Sequence, residues 1–165
     1  MDRYPLGTGD GTHRLTNLVI RPFKAADVDA ICVIETHTQH ARWTRTAIEQ
    51  EVSTKSSSLI LTAILPDKSN SAPERAVGYV CFRILWEDIY ILKVGVHPDF
   101  RGRGIGTELM RHAERRGRTE GASRAVLEVA DSNIPAVNLY RKLGFEFAKK
   151  DHRYSDNPAV MVKFL

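Results

Sequence analysis

Cysteine is scarce in this chain. There are two, Cys32 and Cys81, each inside an apolar run, with no Cys-x-x-Cys pair and no Cys/His spacing of the kind that holds zinc. That argues against a disulfide framework and a metal site, and reads both as buried thiols. Long apolar runs are missing too. None approaches the roughly 20 residues of a membrane-spanning helix, so no membrane partner is expected. The opening stretch "MDRYPLGTGDGTHRL" lacks the apolar core of a secretory signal. The expectation is a cytoplasmic protein with a flexible tail over 1–15 and one domain over 16–165. No internal repeat breaks that domain.

What is present is an ordinary globular composition, 42% hydrophobic and 27% charged, so a real core is expected. The net charge is +4, and seven arginines fall between Arg101 and Arg124. Such a cluster is a solvated helix face, a site for a phosphate-bearing cofactor, or a nucleic-acid or ribosomal surface.

The patterning predicts β-α-α-β-β-β-α-β-α-β-β. "LTNLVIRPF" is a strand ending near Pro22. "AADVDAICVIETH" has helical apolar spacing, and "TRTAIEQEV" is a short helix with Thr44 as its cap. "SLILTAIL", "AVGYVCFRIL" and "DIYILKVGV" are strands, the first two joined by the turn-rich "PDKSNSAPER". A helix runs from Gly104 to Thr119, with Ile105, Leu109 and Ala113 on one face and arginines on the other. "RAVLEVA" is a strand. "IPAVNLYRKLG" is a helix with Pro135 in its first turn and Gly144 at its stop. "FEFAKKDHRY" and "PAVMVKFL" close the chain as strands. This is an α/β (α+β) chain: one sheet covered by helices.

The stretch "HPDFRGRGIGTEL" sets glycines among arginines just before a helix. Glycine permits close approach to the backbone. A helix N-terminus offers unpaired N–H groups and a positive dipole end. Together they suit phosphate, and Arg101 and Arg103 add charge. It is not a P-loop, since no Gly-Lys-Ser/Thr follows. It is not a dinucleotide fingerprint either: Thr107 stands where the third glycine belongs, and "HPDFR" separates the glycines from the strand.

"VGVHPDFRGRGIGTELM" resembles the acetyl-coenzyme A motif of the GNAT superfamily of N-acetyltransferases, Arg/Gln-x-x-Gly-x-Gly/Ala, here Arg101, Gly104 and Gly106. The resemblance extends from about Leu18 to the C-terminus and implies a mixed, mostly antiparallel sheet of six or seven strands flanked by about four helices. It implies acetyl-CoA as cofactor, with its pyrophosphate cradled by Arg101, Gly102, Arg103, Gly104, Ile105, Gly106 and Thr107. It implies that Val94, Gly95 and Val96 pair with the pantetheine arm like an added strand. A bulge in that strand is part of the pattern, and Gly95 is the residue in sequence that suits it.

"VLEVADSNIPAVNLYRKLGFE" is the second informative stretch. Strand alternation sets Glu128 opposite to Leu127 and Val129. An exposed strand face or an ion pair would also explain it. Asn133 stands at a strand-to-helix turn, and Tyr140 on a helix, where an aromatic is usually core. The stretch resembles the N-terminal protein acetyltransferases of the same superfamily, which include the bacterial ribosomal-protein alanine acetyltransferase. That resemblance implies Glu128 as general base, Tyr140 as general acid on the leaving thiol, and Asn133 as a coenzyme ligand. It also implies acceptor contacts from Trp43, Tyr90 and Tyr154. Tyr90 stands where eukaryotic relatives carry a catalytic tyrosine, though a plain strand aromatic is the favoured reading of the residue itself. Tyr154 stands alone where that branch has paired tyrosines, and the "SDNP" loop is short.

An amine attacks a thioester only when neutral. An α-amine with pKa near 8 is about one-tenth neutral at pH 7, a lysine near 10.4 only about one part in 2,500. With one base, one acid and no nucleophilic cysteine near the motif, direct transfer in a ternary complex is expected. A strand amide near Val96 would steady the oxyanion. The expected acceptor is a protein N-terminus, of a ribosomal protein for example. A small-molecule amine or a lysine side chain is the alternative. A non-catalytic acyl-CoA-binding module would need neither Glu128 nor Tyr140. Direct nucleic-acid binding would leave the glycine spacing unexplained.

Overall fold

The computed structural model describes residues 17–38, 42–53, 58–66, 74–148 and 158–165. The expected tail over 1–15 lies outside the described residues, as do the middle of the "PDKSNSAPER" turn and Tyr154. Among the described residues the strands are β1 (Val19–Pro22), β2 (Ser58–Leu65), β3 (Arg75–Leu85), β4 (Asp88–Val96), β5 (Arg124–Val129), β6 (Glu146–Phe147) and β7 (Ala159–Phe164). The helices are α1 (Val28–Thr36), α2 (Arg45–Ser53), α3 (Ile105–Thr119) and α4 (Ile134–Lys142), with 3-10 turns at Ala25–Asp27 and Pro98–Phe100. The element order is the one the patterning predicts. Thr44 caps α2 through its hydroxyl, which accepts from the Ala47 amide at 3.1 Å. Gly144 takes a left-handed φ of 89° just past α4. Within the expected strand over 145–154, pairing is described for Glu146 and Phe147 alone.

The strands form one sheet in the order β1-β2-β3-β4-β5-β7-β6. The β4–β5 pair is parallel and the other neighbours are antiparallel. Helices cover both faces, and alternation along the strands divides the core accordingly. Val80, Phe82, Ile89, Ile91, Leu127 and Met161 pack with α3 residues Ile105, Leu109 and Met110 and α4 residues Val137 and Tyr140. On the opposite face Tyr79, Cys81 and Ile60 pack with Ile31 and Ile34 of α1 and Ile48 of α2. Cys81 is buried there and Cys32 partly buried, both as free thiols. Burial pushes the Cys81 thiol up to about 12.

Two charged clusters pin the periphery. Asp27 takes a bidentate bond from Arg21 at 2.8 and 2.9 Å and a third from the Lys24 amide, which ties the start of α1 to β1. Lys163 of β7 reaches both oxygens of buried Glu114 on α3 at 2.7 and 2.8 Å. Among the described residues no helix is long and apolar enough to cross a membrane.

Candidate active site

The site is built where two strands stop pairing. β4 and β5 run side by side from Asp88↔Arg124 to Ile91↔Leu127, and no pair is made beyond that. On its other side β4 stays bonded to β3 as far as Val96. The stretch 92–96 therefore has one strand neighbour, and its other edge faces a cleft of about 780 Å³. The register against β3 slips at the same place: Cys81 faces Lys93 and Phe82 faces Ile91, so Leu92 is the extra residue. The bulge is thus at Leu92, which corrects the expectation of a break at Gly95. Gly95 stays in register opposite Tyr79. It is glycine for a packing reason, since a Cβ there would lie 2.7 Å from the Tyr79 ring and 2.9 Å from Ile34.

The glycine-arginine turn forms the cleft's floor. Gly102 and Gly104 have left-handed φ of 73° and 80°, a region that L side chains avoid. Nothing described lies within 4 Å of where their Cβ atoms would be, so the turn faces open space. Gly104 is the N-cap of α3, so the helix's first amides open onto the same space. Gly106 sits on the first turn, where a Cβ would press on Leu139 of α4 at 3.2 Å. Arg101, Gly102, Gly104, Ile105, Gly106 and Thr107 all line the cleft, together with Val94, Gly95 and Val96.

The two arginines are engaged inside the protein. Arg101 donates from Nε to the Val96 carbonyl at 3.0 Å and from its terminal nitrogen to the His37 carbonyl at 3.3 Å. Arg103 lies over the Phe100 ring, 5.5 Å from its centre. In this structure the turn presents its main chain, helped by the cationic field around it, while both side chains serve its shape.

The far wall is the start and inner face of α4. Asn133 caps that helix, its side-chain oxygen accepting from the Ala136 amide at 3.4 Å. Asn133, Ala136, Leu139 and Tyr140 line the cleft. Tyr140 is 8% exposed and rests against Phe145. Burial pushes its phenol up to about 12, so it keeps its proton through any working pH.

Glu128 stands on β5 one position past the last pair with β4, on the face opposite buried Leu127 and Val129. It is exposed, makes no hydrogen bond or ion pair among the described residues, and does not line the cleft itself. Glu128 and Tyr140 thus flank the parting of the strands from opposite faces of the sheet.

Tyr90 is paired across from Val126 on the Glu128 face. Its hydroxyl donates to Asp88 at 3.1 Å, and that bond raises its phenol pKa. Asp88 is also gripped by Arg124 through two bonds of 2.7 Å. Tyr90 is thereby tied into a surface pair. Trp43 is half-buried against the α1–α2 cluster and is not among the residues that line the cleft. Residues that the sequence reading passed over include His37 and Thr38, which line the cleft at the end of α1, and Leu92 at the bulge. Glu35, Tyr79 and Lys93 were also passed over. A glutamate in the last turn of an apolar helix and a lysine inside an apolar strand were the available signals.

A long cleft thus lies where the two parallel strands part, floored by a glycine-rich helix entry. Residues 21–145 match the acetyltransferase (GNAT) family model, and the chain belongs to that family. It is 27% identical over 143 residues to a putative ribosomal protein bS18-alanine N-acetyltransferase of Bacillus subtilis, covering 86% of this chain and 90% of that protein. It is 42% identical over 78 residues to streptothricin acetyltransferase of Streptomyces lavendulae, covering 46% of this chain and only 39% of that protein. The structure of Arabidopsis thaliana NAA60 in complex with acetyl-CoA superposes with a TM-score of 0.70 at 19% identity, over 90% of this chain and 98% of that one.

Proposed function

We propose that the protein transfers acetyl from acetyl-CoA to the α-amine of a protein N-terminus. The observation that carries this is the parting of β4 from β5 directly beside Glu128, with Tyr140 on the other side of the opening. The cleft fits the donor. The free edge of 92–96 offers main-chain groups to amide-bearing pantetheine, as a neighbouring strand would. The open turn at Gly102 and Gly104 and the entry of α3 suit a pyrophosphate. When bound, acetyl-CoA supplies the acetyl group as a thioester.

The chain's own groups handle the protons. Glu128, exposed on the sheet's other face, takes a proton from the acceptor amine at a carboxylate oxygen, directly or through water. Tyr140 holds its proton at Oη and gives it to the departing sulfur, so the proton lost by the amine is balanced by one gained at the thiol. The amides of Val94 and Val96, on the edge of β4 turned away from β3, steady negative charge on the carbonyl oxygen. Cys32 and Cys81 are not among the cleft residues. Transfer is therefore direct, and a ping-pong initial-rate pattern would refute it.

Two facts support an α-amine acceptor. A single exposed carboxylate suffices for an amine already about one-tenth neutral at pH 7. The bS18-alanine relative matches over most of both chains. The test is thiol release from acetyl-CoA against peptides varied at their first residue, with Nα-acetyl-lysine amide, spermidine and an aminoglycoside alongside. Turnover at least about tenfold higher with a free α-amine is expected. Turnover of spermidine, aminoglycoside or lysine alone would overturn the α-amine reading in favour of the small-amine or lysine alternative.

A further inference from the structure

β7 is apolar on both faces. Ala159 and Met161 are buried on one, and Val160, Val162 and Phe164 alternate with them on the other. A strand apolar on both sides reads as one covered on both sides. Yet the apolar cluster beneath α1 and α2 includes no residue of β5 or β7. Val160 is exposed, and Phe164 is 80% exposed.

The open face continues across the end of the sheet. Leu85, Asp88, Arg124 and Phe164 are paired residue to residue from β3 to β7 and so share a face. At about 4.8 Å per strand the row is about 14 Å wide. Its polar members satisfy one another: Arg124 grips Asp88 through two bonds, and the Tyr90 hydroxyl donates a third. Trp86 follows Leu85 at the tip of the β3–β4 hairpin. It is 96% exposed and has a left-handed φ of 53°. Glycine is favoured at such a position of a two-residue hairpin loop, and a bulky side chain there is strained. Exposure and strain both cost free energy, and a residue so exposed makes too little contact within its own chain to offset either.

Area and charge identify what covers this face. Aromatic side chains of this size bury about 150–250 Å² each, so Trp86 and Phe164 leave roughly 250–450 Å² uncovered. That alone matches the largest apolar patch of an ordinary monomer. Exposed Leu85 and Val160, with half-buried Tyr90, Val126 and Val162, widen it toward the roughly 800 Å² that each partner gives to a stable interface. The charges in the row cancel, so an anionic partner has nothing to grip. Arg111, Arg115, Arg116 and Arg118 lie on α3, on the other side of the sheet. Two copies joined through the open face keep those arginines apart. An apolar sheet face whose central charges cancel is complementary to itself, as a two-fold contact requires. Glu128, four residues along β5 from Arg124 and so about 13 Å away, stays at the rim.

We propose that two copies of the chain associate face to face through β5 and β7, with Trp86 and Phe164 as the anchors. The inference is independent of acetyl transfer and of the acceptor.

The experiment is sedimentation equilibrium of the full chain from about 1 to 100 μM, where the mass should move from one chain to two. Trp86→Gly and Phe164→Ser change exposed side chains, and each should raise the dimer dissociation constant at least about tenfold. At a dilution where the wild type is monomeric, Trp86→Gly should match or exceed its thermal midpoint, because glycine suits the positive φ. A wild type that stays monomeric throughout, or a dimer that both variants leave intact, would overturn the proposal. A dilute Trp86→Gly chain less stable than the wild type would overturn it as well, since the ring would then serve the monomer.

Discussion

At the scale of single residues, Glu128 and Tyr140 differ in environment in the way their proposed roles require. Glu128 is exposed and unpaired among the described residues, placed to meet an acceptor arriving from solvent. Its replacement by Gln should lower kcat by about 10²- to 10⁴-fold while acetyl-CoA affinity stays within about twofold. A rate within tenfold of wild type would remove it from the role. Tyr140 is held at about 12 by burial. A group whose pKa is raised keeps its proton below that value, so it imposes no alkaline limb in the working range. With an alanine-starting peptide, kcat/KM should rise through about pH 8 as the amine loses its proton and stay level to pH 10. A fall before pH 10 that Tyr140→Phe abolishes would contradict this.

At the scale of elements, the strands and helices were legible because each carries its own period and punctuation. Thr44, Pro135, Gly104 and Gly144 mark ends that the structure keeps. The bulge was not legible, because a register slip depends on two strands at once. Nothing in "DIYILKVGV" distinguishes Leu92, whereas the visible glycine two residues beyond Lys93 answers to the Tyr79 ring on the neighbouring strand. The same packing yields a prediction. Gly95→Ala puts a methyl 2.7 Å from that ring, with α1 behind it at Ile34, and should destabilise the fold by about 1–3 kcal/mol. Gly104→Val has open space but the wrong backbone sign at φ 80°; it should abolish acetyl-CoA binding, and intact binding by calorimetry would contradict the phosphate cradle. An unchanged thermal midpoint for Gly95→Ala would show that β4 can shift freely.

At the scale of the whole molecule, the sheet was legible as a single mixed layer, and the glycine-arginine turn that lines the cleft as a motif within one stretch of chain. The buried cluster on the sheet's other face was not legible: Glu35, Tyr79 and Lys93 come from α1, β3 and β4, and only the closed fold brings the Tyr79 hydroxyl and the Lys93 ammonium to the Glu35 carboxylate. Charge also ties the molecule together at a distance from the cleft. For Asp27, burial acts upward, but the bonds from Arg21 and the Lys24 amide outweigh it and hold the carboxyl below its usual range. Arg124 does the same for Asp88. A carboxylate with a lowered folded pKa stabilises above its unfolded value near 3.9, and that contribution disappears as pH falls through the folded one. The thermal midpoint should therefore hold from pH 7 to about 5 and drop below about 4, and Asp27→Asn should lower the neutral midpoint while flattening the acid slope. An unaltered slope would discount the pair.

The central claim is that an α-amine receives the acetyl group at the parting of β4 and β5. It is tested most directly by incubating the enzyme and acetyl-CoA with a peptide that begins with a free alanine and carries an internal lysine, then locating the acetyl group by fragmentation mass spectrometry. The account predicts acetyl on the alanine nitrogen and its loss with Glu128→Gln. Acetyl on the lysine Nζ alone, or on the alanine with Glu128→Gln as active as wild type, would contradict it.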